Sequence, residues 1–185
     1  MSEMNVLRAL PVAKVRDSLE RLAVLFDAHA DRLNRLARRL TGSRDDALDL
    51  VQETFLKAAR SLGSIPVGAA NEEAWLVRVL INTQRDEWRK ARTRNRRSEI
   101  ADEARGSESF EASLIARDTV WRALDVLSPR RRAVLVMREL EGLSIPAVAS
   151  LLGIREMTTR WHLSKGKREL ARVLETSSGE KKCKT

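Results

Sequence analysis

The chain has 185 residues and carries 35 Lys and Arg against 26 Asp and Glu, which gives a net charge of +9 and an isoelectric point near 10.5. Hydrophobic residues make up 43% but aromatic residues only 4%, a composition that favours helices and argues against a β-sandwich or barrel. The apolar runs are too short to span a bilayer, and Met1–Arg16 lacks the apolar stretch of a secretory signal. We therefore expect a basic, all-α, cytoplasmic protein with a polyanionic partner.

Three helices are predicted in the first part of the chain. Gly42 is placed to end the first helix, and Ser43 is placed to cap the second. A loop at Leu62–Asn71 follows, and Asn71 opens the third helix. The expected apolar stripes are Leu19, Leu22, Phe26, Leu33, Leu36 and Leu40 on the first helix, Leu48, Val51, Phe55, Ala58 and Leu62 on the second, and Trp75, Leu76, Val79 and Leu80 on the third.

The second helix also carries a polar stripe. Asp49, Gln52 and Glu53 are spaced i, i+3 and i+4, so they share one face of the helix. Such a stripe is typical of any solvated helix surface. In a chain with this excess of positive charge, it also fits a docking site for a protein partner with a basic surface.

Charge divides the chain into two parts. Arg85–Arg97 holds seven basic residues against two acids, whereas Ser98–Ser113 holds five acids against Arg105 alone. The basic run predicts phosphate contact, and Trp88 within it fits either base stacking or core packing. The acidic, Ser- and Gly-containing segment predicts a flexible linker. We therefore predict an N-terminal extension, a helical domain, an acidic linker, a second helical domain and a polar tail, at 1–18, 19–97, 98–113, 114–174 and 175–185.

The second domain contains the pattern of a helix-turn-helix. A helix near Leu114–Leu127 ends before Ser128 and Pro129, which fit the N-cap and first position of the next helix. Ser144 caps a short helix at Ile145–Leu152, Gly153 provides the turn, and a basic helix follows at about Glu156–Val173. A paired helix with a solvated basic face would look similar, but the charge favours DNA binding. The side chains available to a groove and its phosphates are Arg155, Thr158, Thr159, Arg160, Lys165, Lys167 and Arg168.

The sequence shows no arrangement of residues typical of an enzyme. It has no P-loop, nucleophile-elbow or HExxH motif. Cys183 is the single cysteine, and the two histidines, His29 and His162, are far apart in sequence. We therefore predict a protein without catalytic residues, metal site or cofactor.

Taken in order, these segments resemble the bacterial RNA polymerase sigma factors of the sigma-70 family, in the small two-domain extracytoplasmic-function (ECF) group. Asp46–Phe55, which reads DALDLVQETF, resembles the core-polymerase-binding helix of sigma region 2. Trp75–Arg78 and the residues through Asp86 resemble the helix that meets the minus-ten promoter element. Leu127–Leu135 and Glu141–Ser144 resemble the opening of region 4, which ends in the helix-turn-helix. The resemblance covers about residues 22–174.

The resemblance implies a role for each surface. The implied protein partner is core RNA polymerase, through its β′ clamp and β subunits. The β′ clamp would contact Asp49, Gln52, Glu53 and Phe55. Minus-ten DNA would face Asn82, Arg85, Arg89 and Lys90, with an unstacked base held by the loop at Leu62–Asn71. The minus-thirty-five element would meet Arg155, Thr158, Thr159, Arg160, His162, Lys165, Lys167 and Arg168. The implied partners are core polymerase, promoter DNA and an anti-sigma factor. The alternative is a stand-alone helix-turn-helix regulator, which would not need the acidic stripe.

The chain also departs from the family pattern. Ile81 stands where such proteins usually carry a basic residue, and Pro146 replaces an acidic one. Met157, Thr159 and Trp161 replace the small, aliphatic and small residues usual in the recognition helix. We expect the fold to be retained and the promoter preference to differ.

Overall fold

The computed structural model describes residues 12–97, 121 and 123–180, and these residues are helical with no strand among them. This confirms the all-α prediction. We call residues 12–97 the N-terminal half and residues 121 and 123–180 the C-terminal half. The helices are α1 (Val12–Thr41), α2 (Arg44–Arg60), a 3₁₀ turn (Leu62–Ser64), α3 (Ala69–Arg97), α4 (Pro129–Leu135) with a π-helical continuation (Val136–Leu140), α5 (Ile145–Leu152) and α6 (Glu156–Glu180).

The junction between α1 and α2 forms as local chemistry predicts. Gly42 has a φ of +74°, and its N–H donates to the carbonyl of Arg38 at 3.1 Å. The Ser43 hydroxyl then accepts from the Asp46 N–H at 3.3 Å and caps α2. A Cβ at Gly42 would lie 3.0 Å from the ring of Trp121, so glycine also permits a close approach of the C-terminal half.

Three residues of the predicted apolar stripes on α1 and α2 are exposed. Leu19 and Phe26 are 61% and 48% exposed, whereas Leu25 is buried. On α2, Leu48 is 41% exposed and its neighbour Ala47 is buried. Adjacent apolar residues satisfy the same helical period, so only the packing of the helices decides which one turns inward. The predicted positions that do lie in the core are Leu33, Leu36, Leu40, Val51, Phe55 and Ala58.

The third helix begins earlier than predicted. It starts at Ala69 rather than Asn71, whose side-chain amide donates to the carbonyl of Val67 at 3.3 Å. The segment before it contains the 3₁₀ turn and a buried Ile65, so only part of the predicted loop is irregular. The core-facing residues of α3 are Leu76, Val77, Leu80 and Ile81.

The two halves share one apolar core. Val134, Met137, Val148 and Leu152 of the C-terminal half join the same buried cluster as the core residues of α1, α2 and α3. The domain boundaries inferred from charge remain predictions. The acidic segment at 98–113, residues 1–11 and residues 181–185 lie outside the described residues.

Polar contacts also connect the halves. The side chain of Glu141 is only 6% exposed. Its carboxylate accepts hydrogen bonds from Arg32 at 2.7 and 3.0 Å and from Arg39 at 3.2 Å. These bonds hold the Arg32 guanidinium in its charged form and raise its pKa above the usual value, against the opposing effect of burial. Arg132 donates across the interface to the Leu40 carbonyl at 2.6 Å. The described part of the chain contains no helix long and apolar enough to cross a membrane.

Candidate functional site

The helix-turn-helix predicted in the C-terminal half is present in α5 and α6. The Ser144 hydroxyl accepts from the Ala147 N–H at 3.3 Å and caps α5, as predicted. Gly153 ends α5 with a φ of +62°, and a Cβ there would lie 3.0 Å from a terminal nitrogen of Arg78 on α3. Ile154 and Leu163 pack against the core and fill the angle between the two helices. The turn of this motif is therefore in contact with the N-terminal half.

The inner face of α6 holds two residues that were expected at the DNA. Thr159 is fully buried, and its hydroxyl donates to the Arg155 carbonyl at 3.3 Å, so it offers no surface to DNA in this arrangement. It lies four residues before Leu163 and therefore on the same, inward face. His162 is partly buried, and burial, reinforced by Arg130 and Arg131, lowers its pKa below the usual value. A neutral His162 adds no positive charge to a DNA surface at neutral pH.

The outer face of α6 is basic. Arg155, Arg160, Lys167 and Arg168 are exposed, while Thr158 and Lys165 are partly buried. Arg160 pairs with Glu156 at 3.1 Å, and Lys167 pairs with Glu139 at 2.9 Å. An open groove of about 820 Å³ lies beside this face, and its basic lining residues are Arg138, Arg160, Lys167 and Arg168. A groove of this charge suits a chain of phosphates.

The acidic stripe lies on the outer surface of α2. Asp49 and Gln52 are exposed and Glu53 is partly so, with its carboxylate 3.8 Å from the Lys57 ammonium. Phe55 is different. It is only 7% exposed and packs on Phe26 with ring centroids 4.9 Å apart, so it offers little surface to a partner protein in this arrangement, and its contact with the polymerase stays a prediction. The Phe55 ring packs on the inner side of α2, opposite the acidic stripe.

Glu87 on α3 extends the acidic stripe and was missed from the sequence. Burial raises the pKa of Glu87 above its usual value, while Lys57 and Lys90 oppose this and Glu53 and Asp46 add to it. These interactions place Glu87 within electrostatic range of the α2 carboxylates. The two helices are neighbours only in the folded chain, so sequence spacing gives no sign of this.

The basic face of α3 lies opposite its buried residues. Asn82, Arg89 and Lys90 are exposed, and the partly buried Arg85 has its Nε 3.6 Å from Asp86. Positions 82, 85 and 89 follow i, i+3, i+7 spacing and share one face. Ile81 lies in the core, which accounts for its apolar character. The basic side chains at 92, 94, 96 and 97 lie outside the described part, and Trp88 is half-buried.

No cluster of metal-ligating side chains emerges from the residues that the structure describes. They contain no group of three or more His, Cys, Asp or Glu side chains placed to hold a metal ion. His29 is buried on α1 with its Nε2 3.4 Å from a Glu72 carboxylate oxygen, so its partner is the adjacent helix.

Comparison with known proteins matches both halves. The family model for sigma-70 region 2 matches residues 25–94, and that for sigma-70 region 4 matches residues 117–170. The ECF RNA polymerase sigma factor SigL of Mycobacterium tuberculosis is 35% identical over 83% of this chain and 89% of its own length. SigE of Mycolicibacterium smegmatis is 34% identical over 84% of this chain, which spans 62% of that relative's length.

A solved structure shares the fold. The sigma factor RpoE of Bartonella quintana, crystallised with the anti-sigma factor NepR, superposes with a TM-score of 0.55 at 23% identity, over 88% of this chain and 97% of that one. The two matched regions contain the acidic face of α2, the basic face of α3 and the helix-turn-helix, in the order that the sequence predicts. This chain therefore belongs to the ECF group of the sigma-70 family of RNA polymerase sigma factors.

Proposed function

We propose that this chain binds core RNA polymerase and directs promoter recognition and transcription initiation, with no chemical step of its own. One observation carries the proposal: a single basic chain presents an acidic, exposed stripe on α2 in addition to basic faces on α3 and α6. A protein that contacted only DNA would gain nothing from a contiguous acidic stripe, since carboxylates and phosphates repel each other. A sigma factor needs one surface for a protein and two for DNA. Such a role places the protein in the cytoplasm.

Each surface receives one role in this proposal. Asp49, Gln52 and Glu53 contact the polymerase clamp, with Glu87 at the edge of the same acidic surface. The exposed face of α3 contacts minus-ten DNA through Asn82, Arg85, Arg89 and Lys90. The outer face of α6 contacts the minus-thirty-five element through Arg155, Thr158, Arg160, Lys165, Lys167 and Arg168. Thr159 instead positions α6 against the rest of the motif.

We further propose that the two halves separate when the promoter is bound. Arg78 of α3 touches the turn at Gly153, so the two DNA-binding faces lie close together. The promoter elements, by contrast, lie about 25 base pairs apart, or roughly 85 Å at 3.4 Å per base pair. While the two halves are in contact, the DNA-binding faces of α3 and α6 are too close together to reach both promoter elements at once. Core polymerase would supply the scaffold that holds the halves apart.

The relatives suggest a further partner. The RpoE structure from Bartonella quintana contains an anti-sigma factor. By analogy, we propose that an anti-sigma factor binds this chain and competes with core polymerase. The stand-alone regulator remains the second hypothesis, but the match to region 2, which such a regulator does not need, disfavours it.

The direct test compares the full chain alone with the chain bound to core polymerase. We expect it to co-purify with core polymerase and to support run-off transcription. We expect the chain alone to bind the same promoter duplex weakly in mobility shifts, because the closed halves cannot span both elements. Core polymerase alone on the same template is the control. Tight, sequence-specific binding by the free chain without stimulation by core would support the regulator instead.

Arg160 should read a base edge. It is an exposed arginine in the second turn of α6, near the N-terminal end that contacts base edges in a helix-turn-helix, and its pairing with Glu156 is a surface contact that costs little to break. We expect Arg160→Ala to weaken binding of the holoenzyme to promoter DNA by about 1–3 kcal/mol. The variant should also lose its preference at one base position. Promoter variants changed one base at a time would measure this. Equal weakening on every variant would instead make Arg160 a phosphate contact, which is what we expect for Arg168.

A further inference from the structure

Two large apolar side chains project from the DNA-facing side of α6. Met157 is 72% exposed and Trp161 is 49% exposed, and a spacing of four residues puts them on one face. This face is opposite to the one that carries the buried Thr159 and Gly166. Single exposed hydrophobic residues are common on protein surfaces. Two such residues on the exposed face of a basic recognition helix favour a ligand that has an apolar group.

The ring of Trp161 is held in place before any ligand binds. The guanidinium carbon of Arg131 lies 5.6 Å from the ring centroid, and the Lys165 ammonium lies 5.1 Å from it. The His162 ring packs against its edge, with centroids 4.9 Å apart. Arg131 is itself fixed, since its terminal nitrogen contacts both Glu169 carboxylate oxygens at 3.0 Å. An ordered ring loses little rotamer entropy on binding.

The charges around the pair narrow the choice of ligand. Arg160 and Lys165 flank Met157 and Trp161, so the apolar surface lies within a positive field that suits DNA. In the major groove, base edges present hydrogen-bond donors and acceptors, and the thymine methyl is the one apolar group among them. We propose that Met157 and Trp161 determine promoter specificity by contacting thymine methyl groups in the minus-thirty-five element. This inference rests on the function proposed above.

The test removes single methyl groups from the DNA. Holoenzyme formed with the full chain first selects preferred duplexes from a pool randomised at the upstream element. In synthetic duplexes of the selected sequence, each thymine is then replaced by deoxyuridine, which differs only by that methyl. At one or two positions we expect affinity to fall about three- to fivefold, as for one buried methyl group. The remaining positions should be unaffected.

Variants then link the effect to the two side chains. We expect Trp161→Ala and Met157→Ala each to bind the thymine duplex more weakly and to lose the deoxyuridine effect at one position, as a double-mutant cycle requires. Neither side chain lies in the core, so helicity should be unchanged, and loss of the Trp161 ring contacts should lower the melting temperature only slightly. Leu140→Ala is the matched control, because Leu140 is 57% exposed and lies outside α6. It should retain the full deoxyuridine effect.

Two outcomes would overturn the inference. Equal affinity for thymine and deoxyuridine duplexes at every position would exclude methyl contact. A full deoxyuridine effect in both variants would assign the contact to other residues, and in that case loss of a protein partner by the variants would make the pair a protein-docking surface. Either result can occur while Arg160→Ala still alters base preference, which leaves the proposed function intact. If wild-type holoenzyme instead ignores a scrambled upstream element, the proposed function and this inference fail together.

Discussion

The double substitution Asp49→Ala with Glu53→Ala should prevent holoenzyme assembly without unfolding the chain. Asp49 is exposed, and the Glu53–Lys57 pair at 3.8 Å is a surface contact of small energy. We therefore expect the free energy of unfolding to change by less than about 0.5 kcal/mol per site. Loss of charges that pair across a buried interface should weaken core binding by roughly 2–5 kcal/mol. Quantitative pull-down or anisotropy with labelled chain measures the affinity, and thermal melting measures the stability.

A matched control separates a specific interface from a change in net charge. Asp27 and Asp31 on α1 have the same i, i+4 spacing, and both are exposed. Asp27→Ala with Asp31→Ala should leave core binding within about twofold. If the α2 variant melts early, the stripe is structural. If it folds normally and still forms a transcribing holoenzyme, the acidic stripe is not the polymerase-binding surface, and the main support for the proposed mechanism is lost.

Arg132→Ala should cause the largest loss of stability of any single substitution considered for this chain. Arg132 is 5% exposed, donates to the carbonyls of Leu124 at 2.9 Å and Leu40 at 2.6 Å, and pairs with Asp125 at 2.8 Å. Burial lowers the pKa of Arg132 below its usual value, and Asp125 acts in the opposite direction. Removal of the guanidinium leaves a cavity and takes a donor from buried carbonyls. Because Asp125 is 61% exposed, the loss comes from the buried carbonyls and the cavity, and we expect it to be about 2–4 kcal/mol in urea unfolding.

The controls locate this effect at the junction of the halves. Arg168→Ala removes the same charge from an exposed position of α6 and should change stability by less than about 0.5 kcal/mol. Gln84→Ala removes the other donor to the Leu40 carbonyl, which lies at 3.1 Å, and should cost about 1–2 kcal/mol. If Arg132→Ala proved as stable as wild type, the contact between α4 and α1 would contribute little to the fold.

Features that depend on a few neighbouring residues were predictable from the sequence. Ser43 and Ser144 cap their helices, and Gly42 and Gly153 take the positive φ expected of them. In each case the cause is local, because a hydroxyl lies near the N–H three residues on or the backbone needs a residue without a Cβ. The order of the region 2 and region 4 motifs was likewise predictable from the sequence.

Features that depend on distant residues were decided only by the tertiary structure. Packing turned Leu25 inward rather than Phe26, and it buried Thr159 although the adjacent Arg160 on α6 is exposed. Arg132 meets the Leu40 carbonyl 92 positions away, and Glu141 meets Arg32 across 109. Helical periodicity gives the spacing of an apolar face but not its absolute rotation, and a charge pattern does not name a partner in another helix. The sequence by itself determined the helices, their caps and the order of the functional segments. The folded chain determined which face of each segment is free to bind.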